Sequence, residues 1–193
     1  MALTLAAYGG GSMLAALLLP RLLDRLAART VMVTGALVMT LTLLALGATS
    51  GTLLPSYWPS LLSGWFVLGI AYAASITPSG LLLRRSAHPQ ARPAVFAAQF
   101  ALSHVCWLIA YPLAGQVGAG VGQQAAFLAL AGLAALGAAR ALIFWPASDP
   151  ALVEHDHPDL PAGHEHFKEH SNGGSPSSHS HEYVIDDLHA RWR

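Results

Sequence analysis

At 193 residues the chain is 54% hydrophobic and only 10% charged, with a mean hydropathy of +0.48. About a quarter of the residues of a soluble domain are charged. These values therefore exclude an ordinary soluble enzyme or binding module and point to a membrane body with short loops. The formal charge of zero hides a split. Residues 1–147 hold seven Arg and one acid, Asp24, for a net +6. Residues 148–193 hold Lys168, Arg191 and Arg193 against nine acids, for a net −6. The single cysteine, Cys106, excludes an internal disulfide and a Cys-x-x-Cys site. Nine Arg to one Lys, with abundant Ala, Leu and Gly, suggests GC-rich coding DNA and hence a bacterial source.

A bilayer core about 30 Å thick is crossed by about 20 apolar residues in a helix. Five stretches meet that requirement, at about 3–19, 31–49, 58–82, 94–116 and 125–145. The first lacks the basic leading residues of a signal peptide and contains Tyr8-Gly9-Gly10-Gly11-Ser12, small residues that let helices approach closely in lipid. A short basic loop, Pro20 to Thr30, follows. In the second span Thr34, Thr40 and Thr42 are the only polar side chains, and threonine can bond back to its own helix. Tyr57 and Trp58 are expected as interfacial anchors of the third span, which carries Tyr72, Ser75, Thr77 and Pro78 towards its far end. Arg84, Arg85 and Arg92 mark the next loop, and Gly118 to Gln124 is an uncharged turn before the fifth span.

The fourth span has no charge, yet holds Gln99, Ser103, His104, Cys106, Trp107 and Tyr111. On a helical wheel Gln99, Ser103, His104, Trp107 and Tyr111 fall within an arc of about 140°. A helix facing only lipid has no use for such a stripe, so it is expected to border protein or water.

All basic loops lie on one side of this arrangement, and both connections on the other side are bare. The excess of arginine then puts the N-terminus outside and the tail in the cytoplasm, which five crossings require by parity. A chain starting outside at the edge of its first span, with nothing ahead to orient it, is expected to be the later part of something longer. The expected fold class is all-α transmembrane, followed by a cytoplasmic, acidic, largely disordered tail at 148–193, in which Ser171 to Ser178 is too polar to pack.

The loop Asp24-Arg25-Leu26-Ala27-Ala28-Arg29 resembles the cytoplasmic signature Gly-x-x-x-Asp-Arg-x-Gly-Arg-Arg/Lys of the major facilitator superfamily, matching at Asp24, Arg25 and Arg29 and departing at Pro20, Ala27 and Ala28. The alternation of spans with basic and bare loops, and the segments Thr77 to Ser86 and Arg92-Pro93-Ala94, are similar to bacterial permeases of that family. The resemblance covers residues 1 to about 147 and implies helices eight to twelve of a twelve-helix transporter. It further implies that the first, third and fourth spans line a cavity while the second and fifth face lipid. The blandness of the second and fifth agrees. In outline the chain also resembles nickel-resistance permeases of the family, which carry histidine-rich cytoplasmic tails.

Expected substrate contacts are Gln99, Ser103, His104, Trp107 and Tyr111. His104 lies near the bilayer midplane, where it could carry a proton or ligate a soft metal, or merely bond another helix. Cys106 sits about 160° from His104 on the wheel, too far round to share one ion with it. Asp24, Arg25 and Arg29 form an expected conformational loop, though positive charge for orientation alone explains the arginines. The tail holds eight of ten histidines, and His155, His157, His164, His166, His170, His179 and His181 are candidate ligands for Ni, Co or Zn. No preformed geometry is expected to select one metal, and a low-complexity tail that binds nothing is the alternative.

The composite expectation is the C-terminal part of a proton-coupled exporter in a bacterial cytoplasmic membrane, with a divalent transition metal or else a small organic compound as cargo. It needs no cofactor and is not an enzyme, since no residue set resembles a hydrolytic or redox centre. Expected partners are the lipid bilayer and the missing N-terminal helices or a separate half, with no nucleic acid. The competing class is a non-transporting membrane anchor for a metal-binding tail.

Overall fold

The computed structural model describes residues 1–50, 57–147, 152–156 and 178–182. Helices α1 (Ala2–Leu23), α2 (Ala28–Ser50), α3 (Tyr57–Ser86), α4 (Arg92–Gly120) and α5 (Gln123–Phe144) are followed by strands β1 (Leu152–Asp156) and β2 (Ser178–Glu182). All five helices are long and apolar enough to cross a membrane. The first four contain their expected spans and run past them, whereas α5 starts two residues early and stops one short, with Trp145 as its C-cap. The chain divides into two compact units, Met1–Leu81 with Phe96–Ala147, and Leu82–Val95 with Ser148–Arg193.

In the first unit two apolar clusters hold the helices. One joins Leu43 and Leu46 of α2 to Leu61 and Leu68 of α3 and to Phe127 and Ala131 of α5. The other joins Ala15 and Leu19 of α1 to Val31 of α2 and Ala73 of α3. Glycines set how near the helices come. A Cβ on Gly11 would strike the Phe66 carbonyl, and one on Gly69 would strike the Tyr8 carbonyl, so α1 and α3 cross backbone to backbone. Gly35 sits likewise against α3, where a Cβ would fall 2.8 Å from the Ala71 carbonyl oxygen.

Hydroxyls inside the helices bond to their own backbones, as expected for threonine. Thr40 donates to the Ala36 carbonyl at 2.9 Å and Thr42 to Val38 at 2.7 Å. In α3, fully buried Pro78 is flanked by Ser75, which donates to the Ala71 carbonyl at 2.9 Å, and Ser79, which donates to Ile76 at 2.6 Å. Such bonds help a proline persist within a membrane helix. The turn from α4 to α5 is shorter than the expected 118–124. Val121 and Gly122 suffice, because Gly122 adopts φ 116°, a conformation that side-chain-bearing residues avoid.

In the second unit β1 and β2 pair antiparallel. These ten residues lie within the tail expected to be largely disordered. Their physical licence is period-two alternation: His179 and His181 alternate with Ser178, Ser180 and Glu182, and Val153 and His155 with Leu152, Glu154 and Asp156.

Candidate functional site

A cavity of about 590 Å³ opens among all five helices of the first unit. Its walls come from Tyr8 of α1, Met39 and Leu43 of α2, Trp65, Leu68 and Tyr72 of α3, Ala110, Tyr111 and Ala114 of α4, and a face of α5 centred on Phe127 and Leu130. Gln123 is the one lining residue with a side-chain amide. The volume lies within the roughly 300–1,000 Å³ typical of small-molecule sites.

The aromatic side of this cavity is a product of the glycine crossing. With no Cβ on Gly69, the Tyr8 backbone lies against α3. Its ring then reaches both Trp65, at 6.1 Å between centroids and 73° between planes, and Tyr72, at 6.0 Å and 45°. An edge-to-face pair of this kind contributes about 0.5–1.5 kcal/mol beyond the area it buries. These rings can stack on an organic ring system or face a cation. No carboxylate, thiol or imidazole lines the space. Among the described residues no three His, Cys, Asp or Glu side chains stand close enough to hold a metal ion.

A shallower groove of about 440 Å³ lies between α2 and α3, edged by Thr42, Thr49, Ser60 and Ser63. Thr42, Thr49 and Ser63 each donate to a carbonyl of their own helix, at 2.7, 2.9 and 3.0 Å. Their protons are committed, which leaves the groove little to direct at a ligand.

Of the five expected substrate contacts only Tyr111 borders the larger cavity. Gln99 and Ser103 are half-buried, and Ser103 donates to the Phe100 carbonyl at 2.7 Å. His104 is exposed and its Nδ1 donates to the same carbonyl at 2.8 Å. The rings of Phe100, His104, Trp107 and Tyr111 form a ladder along α4, with successive centroids 4.0, 4.8 and 6.1 Å apart. The expected stripe is thus real as a local feature, but most of it lies outside the cavity. No residue of α4 is buried.

The expected division of labour between helices is also changed. The second and fifth spans, expected to face lipid, pack against each other and supply much of the cavity wall. Their Ala, Leu and Gly content suits close helix packing as well as it suits lipid, so composition could not separate the two. Tyr8, Trp65 and Phe127 were missed as site residues. Only Trp65 carried a positional signal, standing inside its span and away from the interface where Trp usually collects; Tyr8 and Phe127 lie near the ends of theirs.

In the basic loop Asp24 caps α1, Arg25 is exposed, and Arg29 is half-buried. The Nε of Arg29 donates to the carbonyl of Trp145 at 2.9 Å, at the C-terminal end of α5. A cation there meets the negative end of the helix dipole. Within the tail, His155, His179 and His181 fall on the strands. His157, His164, His166 and His170 lie outside the described residues.

No curated protein and no solved structure matches the chain. The family model described as Major Facilitator Superfamily matches residues 1–174, beyond the expected limit of about 147 and well over half of the sequence. With five helices able to span a bilayer and a cavity among them, the chain belongs to the Major Facilitator Superfamily of membrane transporters.

Proposed function

We propose that the chain forms part of a proton-coupled secondary transporter whose cargo is a small, largely apolar organic compound carrying an aromatic ring. The observation that carries this reading is the cavity walled by Tyr8, Trp65, Tyr72, Tyr111 and Phe127, with apolar residues and one amide completing it. A divalent ion entering such a space would lose water and gain no anionic or imidazole ligand, at a cost of several kcal/mol or more. Metal therefore becomes the second choice for cargo and the organic compound the first. His104, the one imidazole within the five helices, is the proposed proton carrier. The exposed aromatic and polar ladder of α4 supports a role beside further transporter helices, since such groups are unfavourable against lipid alone. A bacterial cytoplasmic membrane with the tail inside fits the arginine distribution.

Binding is tested on the full chain in lipid nanodiscs with the neutral ring compound 1-aminoanthracene. The expected result is saturable quenching of tryptophan fluorescence that is largely lost in Trp65→Phe. Quenching unchanged by that substitution, or no saturable quenching at all, would remove the cavity as the cargo site.

A second reading is favoured by one observation, the cross-strand pairing of His155 with His179 in the tail. It is a membrane protein whose tail binds a divalent transition metal, either to deliver it to the transporter or as a simple anchored chelator.

A further inference from the structure

The geometry points to a site for one anionic phospholipid beside the turn from α1 to α2. An acyl chain lies in a groove between α1, α2 and α3, and the phosphate meets the start of α2 together with Arg21 and Arg25. The site is separate from the cargo cavity and does not depend on what that cavity carries.

The groove, of about 220 Å³, shares no lining residue with the larger cavity. Its floor includes Gly35 and Ala71, both buried, and its open edge is formed by Leu22, Leu26, Thr30 and Thr34, all exposed. From Thr30 to Val38, the groove's extent along α2, the helix rises roughly 12 Å at 1.5 Å per residue. That is most of one leaflet's share of a hydrocarbon core about 30 Å thick. A helix is about 10–12 Å across with its side chains, too wide to seat in so slender a space. A single acyl chain suits both its width and its depth.

At the mouth of the groove the chain offers two kinds of donor to an anion. The first is the start of α2 at Ala28, since Thr30 and Val31 of its opening turn both line the groove. Ala27, whose carbonyl accepts from the Val31 N–H at 3.2 Å, stands at the cap position and has no side-chain oxygen. Among the described residues the N–H groups of Ala28, Arg29 and Thr30 have no backbone partner, so the positive end of the α2 dipole is open. The second is Arg21 and Arg25, each one residue before a groove-lining leucine. Both are exposed, and neither makes a hydrogen bond or ion pair among the described residues. Arg29 does not join them, because its Nε is committed to the Trp145 carbonyl. Phosphate oxygens accept from N–H groups at a helix start and from guanidinium, and arginines beside a span draw anionic headgroups. An anion site that opens onto a groove for an acyl chain selects a lipid over free phosphate.

The test is native mass spectrometry of the purified full chain in a nonionic detergent, titrated with dioleoyl phosphatidylglycerol or dioleoyl phosphatidylcholine. One phosphatidylglycerol should bind about tenfold or more tightly than phosphatidylcholine, since each arginine near a lipid surface contributes about fivefold. Arg21→Gln and Arg25→Gln should each weaken it about fivefold. Ala27→Asp gives α2 the cap it lacks and should raise stability, yet its carboxylate stands where the phosphate binds and should lower affinity about fivefold or more. Those opposite directions separate loss of the site from loss of the fold. Thr34→Phe fills the groove without changing charge and should also weaken phosphatidylglycerol binding, with helicity checked by circular dichroism. Equal retention of the two lipids, or unchanged binding in the double variant Arg21→Gln/Arg25→Gln, would overturn the site. Unchanged binding in Thr34→Phe would overturn it too, by showing attraction to the basic surface at large. So would inorganic phosphate that displaces the lipid at equal concentration.

Discussion

Replacing Gly69 with alanine tests whether the cavity depends on the crossing of α1 and α3. The added Cβ would strike the Tyr8 carbonyl oxygen and lie 2.9 Å from the Tyr8 carbonyl carbon and 3.0 Å from the Ser12 nitrogen. All three atoms are backbone, so no side chain can swing aside and the helices must part. Overpacking of this kind costs about 1–3 kcal/mol. The helical preference of Ala over Gly returns about 1 kcal/mol, which leaves a net loss of up to about 2 kcal/mol. Gly80 is the internal control, because a Cβ there meets nothing within 4 Å. Gly80→Ala should be neutral or slightly stabilising. Equilibrium unfolding in mixed micelles measures the difference, while near-ultraviolet circular dichroism follows the Tyr8–Trp65 ring pair. Gly11→Ala opens the same crossing from the other side, against the Phe66 carbonyl. The double variant should therefore lose less than the two single losses added, as for any two changes that relieve one contact. If Gly69→Ala matched Gly80→Ala in stability and left the aromatic signal intact, the close crossing would not be what positions Tyr8.

Arg29→Gln removes the bond to the Trp145 carbonyl and should destabilise by about 1–2 kcal/mol, whereas exposed Arg25→Gln should change little; unfolding midpoints of the two compare them directly. His104→Ala should leave 1-aminoanthracene quenching unchanged because His104 does not border the cavity, while Tyr8→Ala should weaken it severalfold; a reversal of that order would return the site to the stripe on α4. Reporter fusions at Val121 and at His88 should report opposite sides of the membrane, and the same side for both would collapse the five-span topology.

The number and order of the helices were readable from the residues because spanning a bilayer is a local property. Length and apolarity decide it, and both are counted within one segment. The α4 stripe was readable for the same reason: its ring ladder needs only helical spacing, and the neighbours of His104 within it are Phe100 and Trp107 of the same helix. Threonine bonding back to its own helix was local as well. For the tail, low-complexity composition argued against order, and the alternation that allows a ladder is weak over five residues.

Which side chains would meet one another across helices was a different matter. A wheel places Tyr111 and His104 on one arc, yet only Tyr111 reaches the cavity, because the neighbouring helices meet that arc at one edge. The pairing of Tyr8 with Trp65 and Tyr72 joins residues more than fifty positions apart, brought together by two glycines whose value lies in what they lack. Sequence by itself determined a five-span bundle with its positive side chains at one end, since both follow from how each segment partitions between water and lipid. Tertiary structure alone decided that the cavity is aromatic and uncharged, because that depends on how closely separate helices approach and on which of their faces turn inward together.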